Sequence, residues 1–164
     1  MTDGKLREAP HWGAAWQHRK GRNSMYKKII VPIAMDQLEH GESVLGIAVK
    51  LIDEGGEIIL LNVVEDLNAY AQGYMIVDFP LEMIEESRKH AVKTLEALRT
   101  KHGINGRVEI RTGGAAGSIN ALAKEENADL VIIASHRPGL IDYFIGSTAS
   151  RVVSHCPCAV LIDR

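Results

Sequence analysis

From Lys28 onward the chain alternates between two hydrophobic rhythms, short apolar runs and longer stretches of helical period. Ile29-Ile-Val-Pro-Ile33 reads as a strand with Pro32 near its end, and Ile58-Ile-Leu-Leu-Asn-Val-Val64 as a second, apolar on both faces as a central parallel strand should be. Between them Val44, Leu45, Ala48, Leu51 and Ile52 keep the i, i+1, i+4, i+7, i+8 spacing of an amphipathic helix. Residues 65–80 form an irregular connection carrying Tyr70, Tyr74, Met75 and Phe79, read either as shelter for a site or dimer face or as a local cluster. The longest helix is predicted over 81–102, with Ile84, Ala91, Leu95 and Leu98 on one face. Residues 107–112 set Val108 and Ile110 between charges, which suits an edge strand. Ser118 is expected to cap a helix through Ile119, Leu122 and Ala123. Asp129-Leu-Val-Ile-Ile-Ala134 and Cys158-Ala-Val-Leu-Ile162 are the last two strands.

Five strands with intervening helices predict an α/β fold, a single five-stranded parallel sheet sandwiched by helices and joined by right-handed crossovers. Ligands of such sheets sit beyond the carboxyl ends of the strands, where the strand order reverses. If the first and fourth strands flank that reversal, the site draws on residues 32–36 and 134–147. Sequence alone leaves the strand order open.

Composition narrows the class of partner. The chain has 164 residues, 46% hydrophobic and 24% charged, with a formal net charge of −2. That is one domain of ordinary globular make-up, without the basic footprint of a nucleic-acid binder. No apolar run reaches the length that crosses a membrane. Cys156 and Cys158 are the only cysteines. Two residues apart, they make a poor disulfide framework and half of a metal site at best, so no metal is expected and the reading is a reducing, cytoplasmic compartment. Cys158 is expected inside the last strand as a small apolar residue. Residues 1–24 stand apart, with Trp12, Trp16 and the basic run Arg19-Lys20-Gly21-Arg22 but no apolar period. They are expected to be a disordered arm or an upstream-start artefact, with the domain proper over 25–164.

The candidate chemistry gathers after the fourth strand. Gly146 allows close approach of an anion to the backbone, and Ser147 opens a predicted helix whose first N–H groups would face it. Ser147 also reads as an ordinary N-cap, and the two roles are compatible. The Arg137 guanidinium suits a phosphate, or pairs with Asp142. His136 has no nucleophile or carboxylate at a telling spacing and reads as a loop residue rather than a catalyst. Ser135 bonds a sugar hydroxyl or shapes the loop. Asp36 is expected to cap the first helix rather than to reach a ribose or Mg²⁺. Gly113-Gly-Ala-Ala-Gly117 lacks the Gly-Lys-Ser/Thr ending of a P-loop and reads as a turn into the next helix.

Four stretches taken together carry a resemblance: Lys28-Ile-Ile-Val-Pro-Ile33, Ile59-Leu-Leu-Asn-Val63, Ala134-Ser-His-Arg-Pro with Ile145-Gly-Ser147, and His155-Cys-Pro-Cys-Ala-Val-Leu-Ile162. In order and spacing, residues 25–164 resemble the universal stress protein family, nearest its F/G-type small bacterial members. The resemblance implies a flavodoxin-like or Rossmann-like fold and a homodimer joined through the 158–162 strand, with Val160, Leu161 and Ile162 at the contact. It implies an ATP site, possible with Mg²⁺, built from Pro32, Ile33, Ala34, Val63, Gly113, Ala134, Ser135, His136, Arg137, Gly146, Ser147 and Thr148. In it the backbone of Val63 meets adenine, and Gly113 begins a segment near the nucleotide. Three positions depart from the family pattern: Ala134 and Arg137 stand for its two loop glycines, and Ala34 for its ribose-binding Asp. The loop is also one residue shorter.

These readings lead to an adenine nucleotide-binding, non-catalytic regulatory homodimer of the stress response. No residue is placed to activate an attacking water, so slow ATP hydrolysis is the most that is expected. The alternatives are a nucleotide-free interaction protein of the same fold and a slow ATPase.

Overall fold

A computed structural model of the chain describes residues 26–65, 81–134 and 146–163. The N-terminal arm, the aromatic connection with Tyr70, Tyr74, Met75 and Phe79, and the loop carrying Ser135, His136, Arg137 and Asp142 lie outside the described residues. Five strands, β1 (Tyr26–Pro32), β2 (Ile52–Val64), β3 (Gly106–Thr112), β4 (Leu130–Ala134) and β5 (Ala159–Asp163), form one sheet in the order β3-β2-β1-β4-β5. Every adjacent pair is parallel. Of the two doubly wound orders, this is the Rossmann-like one, with its reversal between β1 and β4.

Alternation along the strands divides the core. Ile29 and Val31 face helices α1 (Leu38–Leu51) and α2 (Leu81–Lys101), with Val44, Leu45, Ala48 and Leu95 buried against them. Ile30, Ile59 and Leu61 face α3 (Ala115–Glu125) and α4 (Ser147–His155), whose Ile119, Leu122, Ala149 and Val152 close the second layer. The apolar face read for 81–102 is thus the buried face of α2: Ala91 and Leu95 are inaccessible and Leu98 packs on the core. As the charge alternation of residues 107–112 implied, β3 is an edge strand.

Four local expectations give way. Ile52 does not extend the α1 face; it takes extended backbone, its N–H caps the helix at Ala48 O, and it starts β2 opposite Tyr26. The next pair is Lys28 with Glu57, so residues 53–56 bulge out opposite Lys27 before β2 resumes its ladder. Ser118 does not cap α3. The helix begins three residues earlier at Ala115, and the Ser118 N–H already bonds Gly114 O inside it at 3.0 Å. Asp36 does not cap α1 either: it is exposed in a 3₁₀ turn, Met35–Gln37, and the N-cap position falls to Gln37 without a side-chain bond. Cys158 lies one residue ahead of β5 rather than within it. Both thiols are free and partly buried, with Sγ atoms 3.5 Å apart. Burial, then the contact with Cys156, pushes the Cys158 thiol up to about 12, so it is a packed, protonated group.

Candidate functional site

The end of β1 is held from both sides. The Ile33 N–H donates to Leu61 O at 2.8 Å, continuing the ladder past Pro32. The Asn62 side chain then donates through Nδ2 to Ile33 O, also at 2.8 Å. Asn62 is the buried polar residue of the core among the described residues, 5% exposed. Its amide satisfies a carbonyl that has just left the sheet, which is what justifies a polar group there. Beyond this anchor the chain turns, with Gln37 N–H bonding Ala34 O at 3.1 Å, and Ala34 itself is exposed. Nothing in the hydrophobic pattern of the second strand singled out Asn62, because its partner lies 29 residues away on another strand.

The same edge of the sheet receives the start of α3. Gly113 has φ of +123°, a conformation that favours glycine, and its N–H bonds Val64 O at 3.0 Å. The chain therefore leaves β3 while tied to the end of β2 and enters α3 through Gly114, whose backbone is extended. α4 begins in the same way: Gly146 is the N-cap with φ −55° and ψ 154°, and Ser147 is the first helical residue rather than the cap. Neither helix has a side-chain cap hydrogen bond. Their first-turn N–H groups are the donors that such helices leave over, and the helix dipole adds partial positive charge at the same ends.

An open groove of about 480 Å³ runs between the two helices. Gly114, Ala115, Ala116, Gly117 and Asn120 form its α3 wall, and Ser147, Thr148, Arg151 and His155 its α4 wall. The α4 wall contains an i, i+4, i+8 stripe, Ser147, Arg151 and His155, one face of the helix. Arg151 brings a fixed positive charge, and none of the described lining residues is acidic. The His155 Nδ1–H donates to Arg151 O at 3.0 Å, since a carbonyl only accepts, and this fixes the ring against its own helix. Asn120 contributes a buried Oδ1 with no hydrogen-bond partner.

Of the residues singled out in the sequence, Pro32, Ile33, Ala34, Val63, Gly113, Ala134, Gly146, Ser147 and Thr148 all lie at the carboxyl ends of strands or the amino ends of helices on this one edge. Ser147 and Thr148 enter the groove itself; Pro32, Ile33, Ala34, Val63, Gly113 and Ala134 are not among its lining residues. Val63 is half-buried and packs against the α3–α4 layer. Ser135, His136 and Arg137 are outside the described residues. Arg151, His155, Asn120 and the 114–117 segment line the groove although the motif reading passed over the first three. The Ser147, Arg151, His155 spacing is legible in the sequence, but its orientation toward α3 is not.

The model of the universal stress protein family matches residues 25–164. Universal stress protein G of Shigella flexneri is 30% identical over 144 residues, 85% of this chain and 100% of that protein. Among solved structures, hypothetical protein MJ0577 superposes with a TM-score of 0.68 at 24% identity, covering 84% of this chain and 95% of that one. A universal stress protein in complex with cAMP gives 0.57 at 17% identity, covering 86% and 98%. The Archaeoglobus fulgidus universal stress protein in complex with dAMP gives 0.58 at 16%, covering 85% and 99%.

Proposed function

This chain belongs to the universal stress protein family, and on that footing we propose that it is an adenine nucleotide-binding regulatory protein that takes ATP, alone or with Mg²⁺. The observation that carries this reading is the convergence of two helix N-termini without side-chain caps on one groove whose described lining residues include an arginine and no carboxylate. Such an arrangement offers oriented N–H donors and positive charge to phosphate oxygens. The cAMP and dAMP complexes of structurally similar proteins support the adenine part of the reading.

In this proposal the backbone of Val63 meets the base, Ile33 and Ala34 border the sugar, and the N–H groups opening α4 at Ser147 and Thr148, with the Ser147 hydroxyl donating beside them, take the phosphates. Ser135, His136 and Arg137 belong to the loop that would complete the site. Mg²⁺, where bound, would be carried mainly by the phosphate oxygens. No general base is assigned, so the protein acts by changing its contacts with partners as nucleotide comes and goes. The same reading makes it a cytoplasmic protein and a homodimer through β5.

A second reading, a nucleotide-free interaction protein of the same fold, draws on Ala34. A methyl group, exposed at the end of β1, stands where the family pattern has a ribose-binding carboxylate. Calorimetric titration of nucleotide-stripped protein with Mg-ATP separates the two. We expect one-to-one binding, weakened about threefold to tenfold in Ser147→Ala, with no phosphate release above the buffer control. Absence of heat with ATP, ADP and AMP at two temperatures would select the second reading, and steady phosphate release abolished by Ser147→Ala would select the slow ATPase.

A further inference from the structure

We infer that the groove between α3 and α4 selects nucleotides with two or more phosphates over monophosphates, and that Arg151 is the residue that sets this preference. The inference rests on the adenine nucleotide reading above and goes beyond it, because the related structures carry dAMP and cAMP, each with a single phosphate.

Three observations lead to it. First, the groove does not end at the helix N-terminus. Arg151 lies one turn below Ser147 on the same face, about 6 Å along the axis at 1.5 Å per residue. A phosphate held on the N–H groups at Ser147 and Thr148 therefore has its next phosphate directed along the groove toward the guanidinium. Second, Arg151 is unlike the other arginines of the described residues. Arg99, Arg107 and Arg111 pair with glutamates, and Arg88 donates to Thr112 Oγ1. Among the described residues the Arg151 guanidinium has neither kind of partner, and none of the groove's described lining residues is acidic. A planar, permanently charged fork left unpaired there is suited to bidentate phosphate contact. Third, the facing wall of glycine and alanine leaves width for such a chain. A monophosphate reaches the helix donors alone; a diphosphate or triphosphate reaches the guanidinium as well.

The test is a comparison of AMP, ADP and ATP binding, each with Mg²⁺, to the stripped wild-type protein and to Arg151→Ala. Arg151 is exposed, so the variant is expected to fold, and circular dichroism checks this. The wild type should bind ADP and ATP about tenfold more tightly than AMP. In Arg151→Ala that gap should close while AMP affinity stays within about twofold. Arg151→Lys, which keeps the charge but not the fork, should restore part of the gap. An ATP-to-AMP ratio unchanged in Arg151→Ala overturns the inference and leaves the nucleotide reading standing, as does an equal loss for all three nucleotides. Failure of the wild type to bind any of the three overturns both.

Discussion

At the scale of single residues, Asn62 joins stability to the site. Its Nδ2 donates to Ile33 O from a position only 5% exposed, so removing the amide leaves a buried carbonyl without a donor. Such a loss costs about 1–3 kcal/mol, since the orphaned group keeps its desolvation penalty. Asn62→Leu should lower the melting temperature by about 3–10 °C and, on the proposed function, weaken nucleotide binding several-fold, because the released backbone is Ile33 and Ala34 at the proposed sugar position. Differential scanning calorimetry with a parallel ATP titration checks both, and an unchanged melting point would show that Ile33 finds another donor. Ile33 is constrained from a second direction by Gly41 of α1. A Cβ there would sit 2.7 Å from Ile33 Cγ2, so only glycine lets the helix pack this close to the end of β1. Two contacts thus hold one short segment, and neither follows from the local pattern around residue 33.

At the scale of elements, ion pairs hold the edge of the sheet opposite the site. Lys28 of β1, Glu57 of β2 and Arg107 of β3 join with Glu126 just past α3. Bonds from Lys28, then Arg107, hold the Glu126 carboxyl below its ordinary 4.5. Arg111 does the same for Glu125, and Lys101 followed by His102 for Glu42, which joins α1 to α2. A carboxylate whose folded-state pKa is depressed adds stability that is fully present above its unfolded value. That stability is lost as pH falls through the folded one. Thermal stability should therefore be level from neutrality to about pH 5 and fall progressively below about 4.5. In Glu126→Gln the melting temperature at pH 7 should drop by about 1–3 °C, a small change because the network is largely solvated. Its fall toward pH 3 should be shallower than that of the wild type. Parallel acid slopes in the two proteins would show that the carboxylate contributes nothing to folding.

At the scale of the whole molecule, β5 is an edge strand: β4 covers one side of it and no other strand of the sheet the other. Its Val160 and Ile162 pack toward α3 and α4 and Leu161 toward the opposite layer, so the strand is held from both faces while its outer backbone groups remain for pairing. An apolar edge of this kind is a template for a second chain. We expect light scattering coupled to size exclusion to report a dimer at micromolar concentration, and a mass of one chain across the accessible range would remove β5 pairing from the proposal. The order β3-β2-β1-β4-β5 also accounts for the place of the site. Reversal between β1 and β4 opens a crevice at the carboxyl edge, to which the chain delivers the ends of β1 and β2 and the starts of α3 and α4.

By itself the sequence determined the alternating elements, their buried faces and the edge character of β3. Periodicity records burial residue by residue, and burial is what both rhythms encode. Element ends were less legible. Ile52 left the helix for β2 and α3 started at Ala115 rather than after Ser118, because pairing with Tyr26 and the turn at Gly113 and Gly114 overrode local preference. Only the tertiary structure decided the strand order, the bond from Asn62 to Ile33, and the meeting of the Ser147, Arg151 and His155 stripe with the small-residue wall of α3. Each is a contact between segments far apart in the chain, where no local pattern of residues carries the distance.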